Sequence, residues 1–263
     1  MDVQLKDKRA LVTGASRGLG YATALALAKE GCLVTINSRN KRQVEAAAKS
    51  IGAETGSQAF ALVGDVGDAS TAEVLVAGAV EAMGGLDLLF TNAGGPPAGA
   101  FEAFDEAAWQ SAIDLSFTSH VRLIRAALPH LRKSTAASVL TLTSMSVKQP
   151  IANLVLSNSI RAATVGLTKS LALELGVDGI RFNSILPGWT ETERVHELMA
   201  FRAKRNGTTV DQEIVSQAAD SPLGRMGRPE EFANAAVFLL SPAASYITGV
   251  MLTVDGGMYK GTL

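Results

Sequence analysis

The chain has 263 residues, of which 47% are hydrophobic, and its formal net charge is −1 at pH 7. This length and apolar content suit one large core, so we expect a single domain over residues 1–263. The nearly neutral charge and the lack of a basic run argue against a nucleic-acid partner. No apolar stretch approaches the ~20 residues that a membrane span needs and no signal-like N-terminus is visible, so we expect no membrane association and a cytoplasmic location.

Cysteine and histidine are too scarce to suggest a disulfide or a metal site. The one cysteine, Cys32, stands at the start of a predicted strand, where a buried thiol is expected. The three histidines, His120, His130 and His196, are scattered along the chain and do not form a ligand pattern. We therefore expect no metal cofactor.

Short β-branched runs alternate with helical stretches along the whole chain, which is typical of a parallel sheet. Seven runs predict strands at residues 9–12, 33–36, 59–63, 86–90, 139–142, 180–185 and 250–254. Right-handed crossovers would place helices on both faces of this sheet, so we expect a doubly wound α/β Rossmann fold. Ligands of such folds bind beyond the C-terminal strand ends, and the loops after the strands are therefore the candidate site.

Residues 13–20, with the sequence TGASRGLG, form a glycine-rich turn between the first predicted strand and an alanine-rich helical run. A strand, a glycine turn and a helix in this order are typical of a nucleotide-binding site. Glycine allows the tight turn and lets backbone N–H groups approach a phosphate, while the helix N-terminus favours negative charge. The spacing of the glycines alone also fits a plain structural turn, so the nucleotide-binding interpretation depends on the strand before the turn and the helix after it.

Two further segments interrupt the alternation of strands and helices. Residues 92–99, with the sequence NAGGPPAG, predict an ordered loop over the edge of the sheet, because they are too rich in glycine and proline for a regular element. Residues 190–220 are polar and helix-prone, which predicts a lid-like helical insertion. An ordinary solvated helical insertion fits the same pattern.

Together these motifs resemble the short-chain dehydrogenase/reductase family, and within it the bacterial 3-oxoacyl-acyl-carrier-protein reductases. Five markers occur in the family's order and spacing: the glycine turn, Asp65-Val66, Asn92-Ala93-Gly94, Pro187-Gly188 and the VDGG sequence at residues 254–257. The resemblance covers essentially the whole chain. It implies an NAD(P)-dependent oxidoreductase with a small-molecule substrate, assembled as a homotetramer or homodimer.

The resemblance also implies where the cofactor binds. The pyrophosphate would lie in the glycine turn, the adenine against Asp65 and Val66, and the nicotinamide over the turn that starts at Pro187, although Asp65 also fits a strand-end cap. The implied cofactor-binding residues are Gly14, Ser16, Arg17, Gly18, Leu19, Ser38, Arg39, Asp65, Val66, Asn92, Ala93, Gly94, Arg161, Pro187, Gly188, Thr190 and Thr192.

The end of the second predicted strand, Asn37-Ser38-Arg39, indicates which dinucleotide is bound. NAD enzymes place a carboxylate there to bind the ribose hydroxyls, and this chain has none. Arg39 and Arg17 could instead surround the 2′-phosphate of NADP, for which planar guanidinium groups are well matched, although either could be an ordinary surface arginine. We therefore expect NADP in preference to NAD.

The catalytic positions depart from the family's pattern, which has a serine, a tyrosine thirteen residues later and a lysine four residues after the tyrosine. Ser144 is in place, but Ser157 and Arg161 replace the tyrosine and the lysine, and Ser116 replaces an asparagine on an earlier helix. An aliphatic hydroxyl is a much weaker acid than a phenol, and a guanidinium keeps its proton at working pH. We expect cofactor binding to survive and turnover to be low or unusual.

Another group could replace the missing phenol. Lys148 follows Ser144 closely, and a desolvated lysine titrates downward and can donate a proton, although a solvated loop lysine fits as well. His196 in the predicted lid and Tyr259 near the C-terminus are further candidates.

Two classes of function remain open. The first is an NADP-dependent reductase of a small carbonyl or 3-oxoacyl compound, and the second is a non-catalytic dinucleotide-binding protein with a sensing or assembly role. The sequence favours the first, because Ser144 is retained and polar groups replace the lost ones. Assembly is expected through two long helices with the apolar positions Leu123, Ile124, Ala127, Leu128, Ala162, Val165, Leu167 and Leu171.

Overall fold

The protein is built around a seven-stranded sheet, seen in a computed structural model that describes residues 2–262. The strands are β1 Arg9–Val12, β2 Leu33–Ser38, β3 Ala59–Val63, β4 Leu88–Thr91, β5 Ser138–Leu142, β6 Arg181–Pro187 and β7 Met251–Val254. All neighbouring strands pair in parallel, in the order β3-β2-β1-β4-β5-β6-β7. The strand order reverses between β1 and β4, which is where doubly wound sheets bind ligands.

Helices connect the strands. They are α1 Gly18–Lys29, α2 Lys41–Thr55, α3 Thr71–Met83, α4 Glu106–Ile113, α5 Ser119–Leu131, α6 Val155–Leu175, α7 Glu193–Asn206, α8 Val210–Ala219 and α9 Pro229–Leu240. A π turn, Asp114–Thr118, joins α4 to α5 without a break. None of the helices within residues 2–262 is both long and apolar enough to cross a membrane.

Two apolar layers cover the two faces of the sheet. One contains Leu27 of α1, Ile51 of α2 and Phe232 of α9, and the other contains Leu75 of α3 and Leu123 of α5. The central strands β4 and β5 are buried on both sides, which is typical of a parallel sheet that is covered on both faces. The predicted doubly wound α/β fold with seven parallel strands is confirmed.

The sequence prediction differs from the structure mainly in where strands end. β2 continues through Asn37 and Ser38, which pair with Leu62 and Val63 of β3. The sequence predicts that β2 ends at residue 36 because polar side chains follow it. Backbone pairing, however, does not depend on side-chain polarity. The buried Asn37 side chain donates to the carbonyl oxygens of Leu62 and Gly64, so the apolar pattern of the sequence ends before the strand does.

Several apolar positions predicted as an assembly surface belong to the core instead. Leu123, Ile124 and Ala127 are at most 2% exposed and pack against the sheet, because this side of α5 faces the sheet. Ala162 of α6 does remain exposed. Cys32 is fully buried as expected, and burial raises the pKa of its thiol to about 12.

The polar segment predicted at residues 190–220 folds into α7 and α8. Thr192 caps α7 by accepting a hydrogen bond from Val195 N, which fixes where the helix begins. The guanidinium of Arg202 lies 4.8 Å from the ring centroid of Trp189, so a cation–π contact holds α7 against the turn after β6. The helices therefore pack over the C-terminal end of the sheet.

Candidate active site

A cavity of about 320 Å³ opens at the C-terminal ends of β1, β4, β5 and β6. Its wall is formed by the loops after these strands, by α6 and by the start of α7. The residues that line it are Gly14, Arg17, Gly18, Leu19, Asn92, Ala93, Gly94, Gly95, Pro96, Leu142, Thr143, Ser144, Met145, Ile151, Leu154, Ser157, Arg161, Pro187, Gly188, Trp189, Thr190, Thr192, Glu193, Arg194, Val195 and Leu198. The cavity thus joins most of the predicted cofactor residues to three of the predicted catalytic residues.

The glycine turn has a shape that only glycine can adopt. Gly14 has φ +58°, and a Cβ atom added there would lie 2.9 Å from both the side-chain nitrogen and the backbone oxygen of Asn92. A Cβ on Gly20 would lie 2.4 Å from the backbone oxygen of Gly14. Gly18 also has a positive φ, of +61°. The turn therefore brings bare backbone to the cavity at the N-terminus of α1, which fits a dinucleotide pyrophosphate.

Asn92 joins the ends of β1 and β4 at the floor of the cavity. Its backbone N–H donates to Thr13 Oγ1 at 2.9 Å, the Thr13 hydroxyl donates to Asn92 O at 2.8 Å, and its side chain donates to Gly14 O at 3.0 Å. Three hydrogen bonds thus fix the glycine turn relative to the loop that carries Ala93 and Gly94.

The residues predicted to hold the adenosine lie outside the lining of this cavity. Ser38 accepts a hydrogen bond from Asn40 N at 3.2 Å, and Val66 is buried. Asp65 accepts from Gly67 N at 2.9 Å, as the strand-end alternative requires, and its other oxygen lies 3.5 Å from Nη1 of Arg39. Arg39 therefore lies beside the end of β2, as predicted, but it forms an ion pair with Asp65.

Arg17 is also engaged in ion pairs. It lines the cavity and contacts Glu193 in the first turn of α7, and its Nη2 lies 4.0 Å from Glu197. Ser16, its neighbour in the glycine turn, does not line the cavity. Both arginines predicted to surround a phosphate thus have acidic partners, and their phosphate-binding role remains a prediction.

Ser144, Ser157 and Arg161 line the same wall of the cavity. Ser144 follows β5, and its Oγ accepts a hydrogen bond from Ser146 N at 3.1 Å, which orients the side chain. Ser157 and Arg161 are one turn apart on α6, so both point to the same side of that helix. The family's spacing is thus kept in three dimensions although two of the three side chains differ.

Arg161 is a buried cation. The residue is 7% exposed, and its Nη1 donates to the carbonyl oxygens of Leu142 and Thr143 at 3.2 and 3.3 Å. Among residues 2–262 no carboxylate forms an ion pair with it. Burial, together with the nearby charge of Arg194, lowers its pKa to about 10, so it keeps its proton at neutral pH.

Ser116 lies behind the cavity wall in the π turn. Its carbonyl accepts a hydrogen bond from Thr164 Oγ1 of α6 at 2.8 Å, and its buried hydroxyl has no hydrogen-bond partner within the described chain. His120, just beyond the π turn, contacts Thr91 Oγ1 through Nδ1 at 2.7 Å. Burial, with a contribution from the charge of Arg161, lowers the pKa of His120 to about 3, so this histidine is neutral.

The alternative proton donors lie elsewhere. Lys148 is exposed, and its Nζ lies 5.1 Å from the ring centroid of Tyr259, outside the cavity lining. Of the two alternatives for Lys148, the structure shows the solvated loop lysine, because the loop after β5 turns this side chain outward. His196 is exposed on α7, and His130 of α5 does not line the cavity either. Within residues 2–262 there is no cluster of three or more potential metal ligands.

Sequence reasoning missed Arg194, the second residue of α7. Its Nη2 donates to Pro96 O at 3.2 Å, so it crosses the mouth of the cavity to the loop after β4. A cation in the first turn of a helix interacts unfavourably with the helix dipole. This unfavourable position is the one feature of the sequence that indicates another role for Arg194. The proximity of Arg194 to Arg161 depends on the tertiary structure, so the spacing of the two residues in the sequence could not predict it.

A comparison of sequences identifies the family. A family model described as enoyl-(acyl carrier protein) reductase matches residues 14–259. The 3-oxoacyl-acyl-carrier-protein reductase FabG of Staphylococcus aureus is 34% identical over 256 residues, which cover 96% of this chain and 98% of that protein. The chain belongs to the short-chain dehydrogenase/reductase family. It is accordingly an oxidoreductase, as the motifs implied.

Solved structures of this family match the fold closely. The short-chain dehydrogenase/reductase fold here superposes on L-sorbose reductase from Gluconobacter frateurii, solved with NADPH and L-sorbose, with a TM-score of 0.95 at 31% identity, over 99% of this chain and 100% of that chain. An NADPH-bound short chain oxidoreductase from Pseudomonas aeruginosa PAO1, described as containing an atypical catalytic center, matches with a TM-score of 0.88 at 31% identity, over 96% and 97% of the two chains.

Proposed function

We propose that this oxidoreductase uses NADP to reduce a small carbonyl compound in the cavity below α7. The observation that carries the proposal is that Ser144, Ser157 and Arg161 share one cavity with the glycine turn. Carbonyl substrates and NADPH also occur among its relatives, namely the 3-oxoacyl-acyl-carrier-protein reductase and the NADPH complex of L-sorbose reductase. The choice of NADP rests on the absent acid at Ser38, on Arg39 beside the end of β2 and on Arg17 in the glycine turn.

The chain's own residues would bind and orient the cofactor. NADPH supplies a hydride to the carbonyl carbon when it is bound. The glycine turn would offer backbone donors to its pyrophosphate, and Arg17 and Arg39, which now pair with surface carboxylates, would hold the 2′-phosphate. The turn from Pro187 to Thr190 would support the nicotinamide, and Thr192, the N-cap of α7, lines the same cavity.

The polar wall would then handle the substrate oxygen. The hydroxyls of Ser144 and Ser157 donate hydrogen bonds to the carbonyl oxygen, and the buried charge of Arg161 favours the negative charge that grows on it. The oxygen takes up one proton as the carbon takes up the hydride, and this proton passes from solvent through the Ser157 hydroxyl. The absence of a phenol lowers the rate by about 10²–10⁴-fold, so slow turnover is expected.

The proposal is tested by binding and turnover measured separately. NADPH and NADH are titrated against the protein, and NADPH oxidation is followed at several pH values with a panel of carbonyl compounds that includes L-sorbose and a 3-oxoacyl thioester. Ser157→Ala is expected to lower turnover about tenfold or more with NADPH binding unchanged. Ser159→Ala is the matched control, because this exposed serine lies on the same helix outside the cavity.

Two outcomes would contradict the proposal. If NADPH binds and no carbonyl compound is reduced, the chain is a dinucleotide-binding protein with a sensing or assembly role. If turnover occurs and neither Ser144→Ala nor Ser157→Ala reduces it, the reaction does not use this wall of the cavity. The cytoplasmic location expected from the sequence stays a prediction.

A further inference from the structure

Two arginine side chains border the same small volume of the cavity. A Cβ atom built on Gly95 would lie 3.8 Å from Nε and Nη2 of Arg194 and 3.9 Å from Nη2 of Arg161. Arg161 reaches this place from α6 and Arg194 from the first turn of α7. Two guanidinium groups that face one space repel each other, and the buried Arg161 keeps its positive charge at neutral pH.

Within residues 2–262, Glu197 pairs with Arg194, but no carboxylate pairs with Arg161. Glu193 contacts Arg17, and Glu197 lies 3.6 Å from Nη1 of Arg194 and 4.0 Å from Nη2 of Arg17. The three guanidinium groups of Arg17, Arg161 and Arg194 thus have only two carboxylates near them. Both carboxylates are more than half exposed, and neither reaches Arg161, the one buried cation of the group.

A buried charge without an opposite charge is costly, and proteins keep such groups where a ligand supplies the partner. Nη1 of Arg161 is occupied by the carbonyl oxygens of β5, whereas Nη2 faces the space beside Arg194. Two planar donor groups at one place suit a planar oxyanion. The same cavity carries the two serine hydroxyls, and Met145, Ile151 and Leu154 add apolar surface to its wall.

We infer that the substrate is an oxo acid, whose carboxylate binds between Arg161 and Arg194 while its carbonyl faces Ser144 and Ser157. The inference rests on the proposed function, because it takes the cavity as the substrate site. It makes α7 part of substrate recognition, since Arg194 belongs to that helix. An oxyanion of the cofactor is the other source of the same chemistry, and the experiment separates the two.

The experiment compares pyruvate with its neutral amide, pyruvamide. Each is titrated by calorimetry into the NADP⁺-loaded protein, in which no reduction can occur, and each is also tested as a substrate with NADPH. We expect pyruvate to bind at least about tenfold more tightly than pyruvamide, because it alone brings a negative charge to the two guanidinium groups. Arg194→Gln is expected to remove this difference, with the affinity for NADPH within about twofold of the wild type.

Arg205→Gln is the matched control. It removes the same charge from the last turn of α7, outside the cavity. Equal affinity for pyruvate and pyruvamide overturns the inference. So does a loss of pyruvate affinity in the Arg205 variant as large as that in the Arg194 variant, because the effect would then be one of overall charge.

The design also separates the two proposals. If Arg194→Gln weakens NADPH binding as much as pyruvate binding, the pair holds a cofactor phosphate and the inference fails while the proposed reductase stands. If pyruvate binds through Arg194 but no carbonyl compound is reduced, the carboxylate site stands and the reductase fails. Because Arg194 is nearly half exposed, the variant is expected to fold, and an unchanged melting temperature verifies this.

Discussion

Arg17 and Glu193 form an ion pair that connects the glycine turn to the first turn of α7, although the two residues are 176 positions apart in the chain. Both side chains are more than half exposed, and such pairs contribute about 0–1 kcal/mol. A phosphate that approaches Arg17 can therefore displace Glu193 at little cost. In the proposed binding mode, a cofactor phosphate and Glu193 of α7 would compete for Arg17.

The first prediction concerns the choice of cofactor. NADPH is expected to bind about tenfold or more tightly than NADH, because one charge-assisted contact contributes roughly 1.5–3 kcal/mol and Arg39 gives up only a surface pair with Asp65. Arg39→Ala removes most of this preference, as measured by the two dissociation constants. Arg42→Ala serves as the control, because this exposed arginine lies nearby on α2. Equal affinities of the native protein for both cofactors would be incompatible with the prediction.

The second prediction restores the missing acid. Ser157→Tyr combined with Arg161→Lys places a phenol beside an ammonium group that lowers its pKa, and Ser144 already lines the cavity. Reduction of a neutral ketone is expected to rise by about tenfold or more. Initial rates at saturating NADPH measure this. Each single variant is the control, because neither completes the pair. A double variant that binds NADPH but is no faster would mean that substrate does not approach residue 157.

The third prediction concerns stability at acidic pH. His120 has a pKa of about 3 in the folded protein against an ordinary 6.5, so between these values the unfolded chain binds one proton more. Stability is therefore full above the ordinary pKa and falls as pH is lowered, by up to about 1.4 kcal/mol per pH unit. Urea unfolding at about pH 7 and about pH 5 gives the free energies of unfolding.

His120→Asn is the comparison for this measurement, because its amide can keep the contact with Thr91 without titrating. The acidic groups of the protein titrate equally in both proteins, so the difference between the two curves isolates the histidine. The wild type is expected to lose more stability than the variant on acidification. Parallel curves would show that His120 titrates at its ordinary pKa.

The fourth prediction concerns assembly. We expect a homotetramer or homodimer that uses the outer face of α6, where Ala162 and Leu173 are exposed. Sedimentation at micromolar concentration is expected to show the assembly, and Leu173→Lys to weaken it. Val74→Lys is the control, because this valine is equally exposed on α3. A native protein that sediments only as a monomer would refute the prediction.

Much of the fold could be predicted because its signals are local. The buried strands appear in the sequence as apolar runs. The glycine turn requires glycine because a Cβ atom would approach neighbouring backbone atoms too closely. Placement of Ser144, Ser157 and Arg161 in one cavity followed from the resemblance, since the spacing of residues on α6 fixes which side they face.

What could not be predicted depends on contacts between distant segments. The pairing of Arg17 with Glu193 and the approach of Arg194 to Arg161 join separate loops, and nothing in the local sequence specifies them. The outward direction of Lys148 could not be predicted for a related reason: its distance from Ser144 along the chain does not specify the side to which the loop turns it. The burial of Leu123 likewise depends on which way α5 faces.

The π turn Asp114–Thr118 has a consequence for how much this region tolerates change in length. A π turn holds one residue more than an α turn, so side chains beyond it are rotated by about 100° from their places on an uninterrupted helix. This offset lets Ala112 pack against Leu156 at the start of α6 while Leu123 packs against the sheet. Deleting one residue here would realign the helix and force one of these two contacts to break. Surface loops tolerate such deletions, but a deletion at this turn would change the direction of every side chain beyond it.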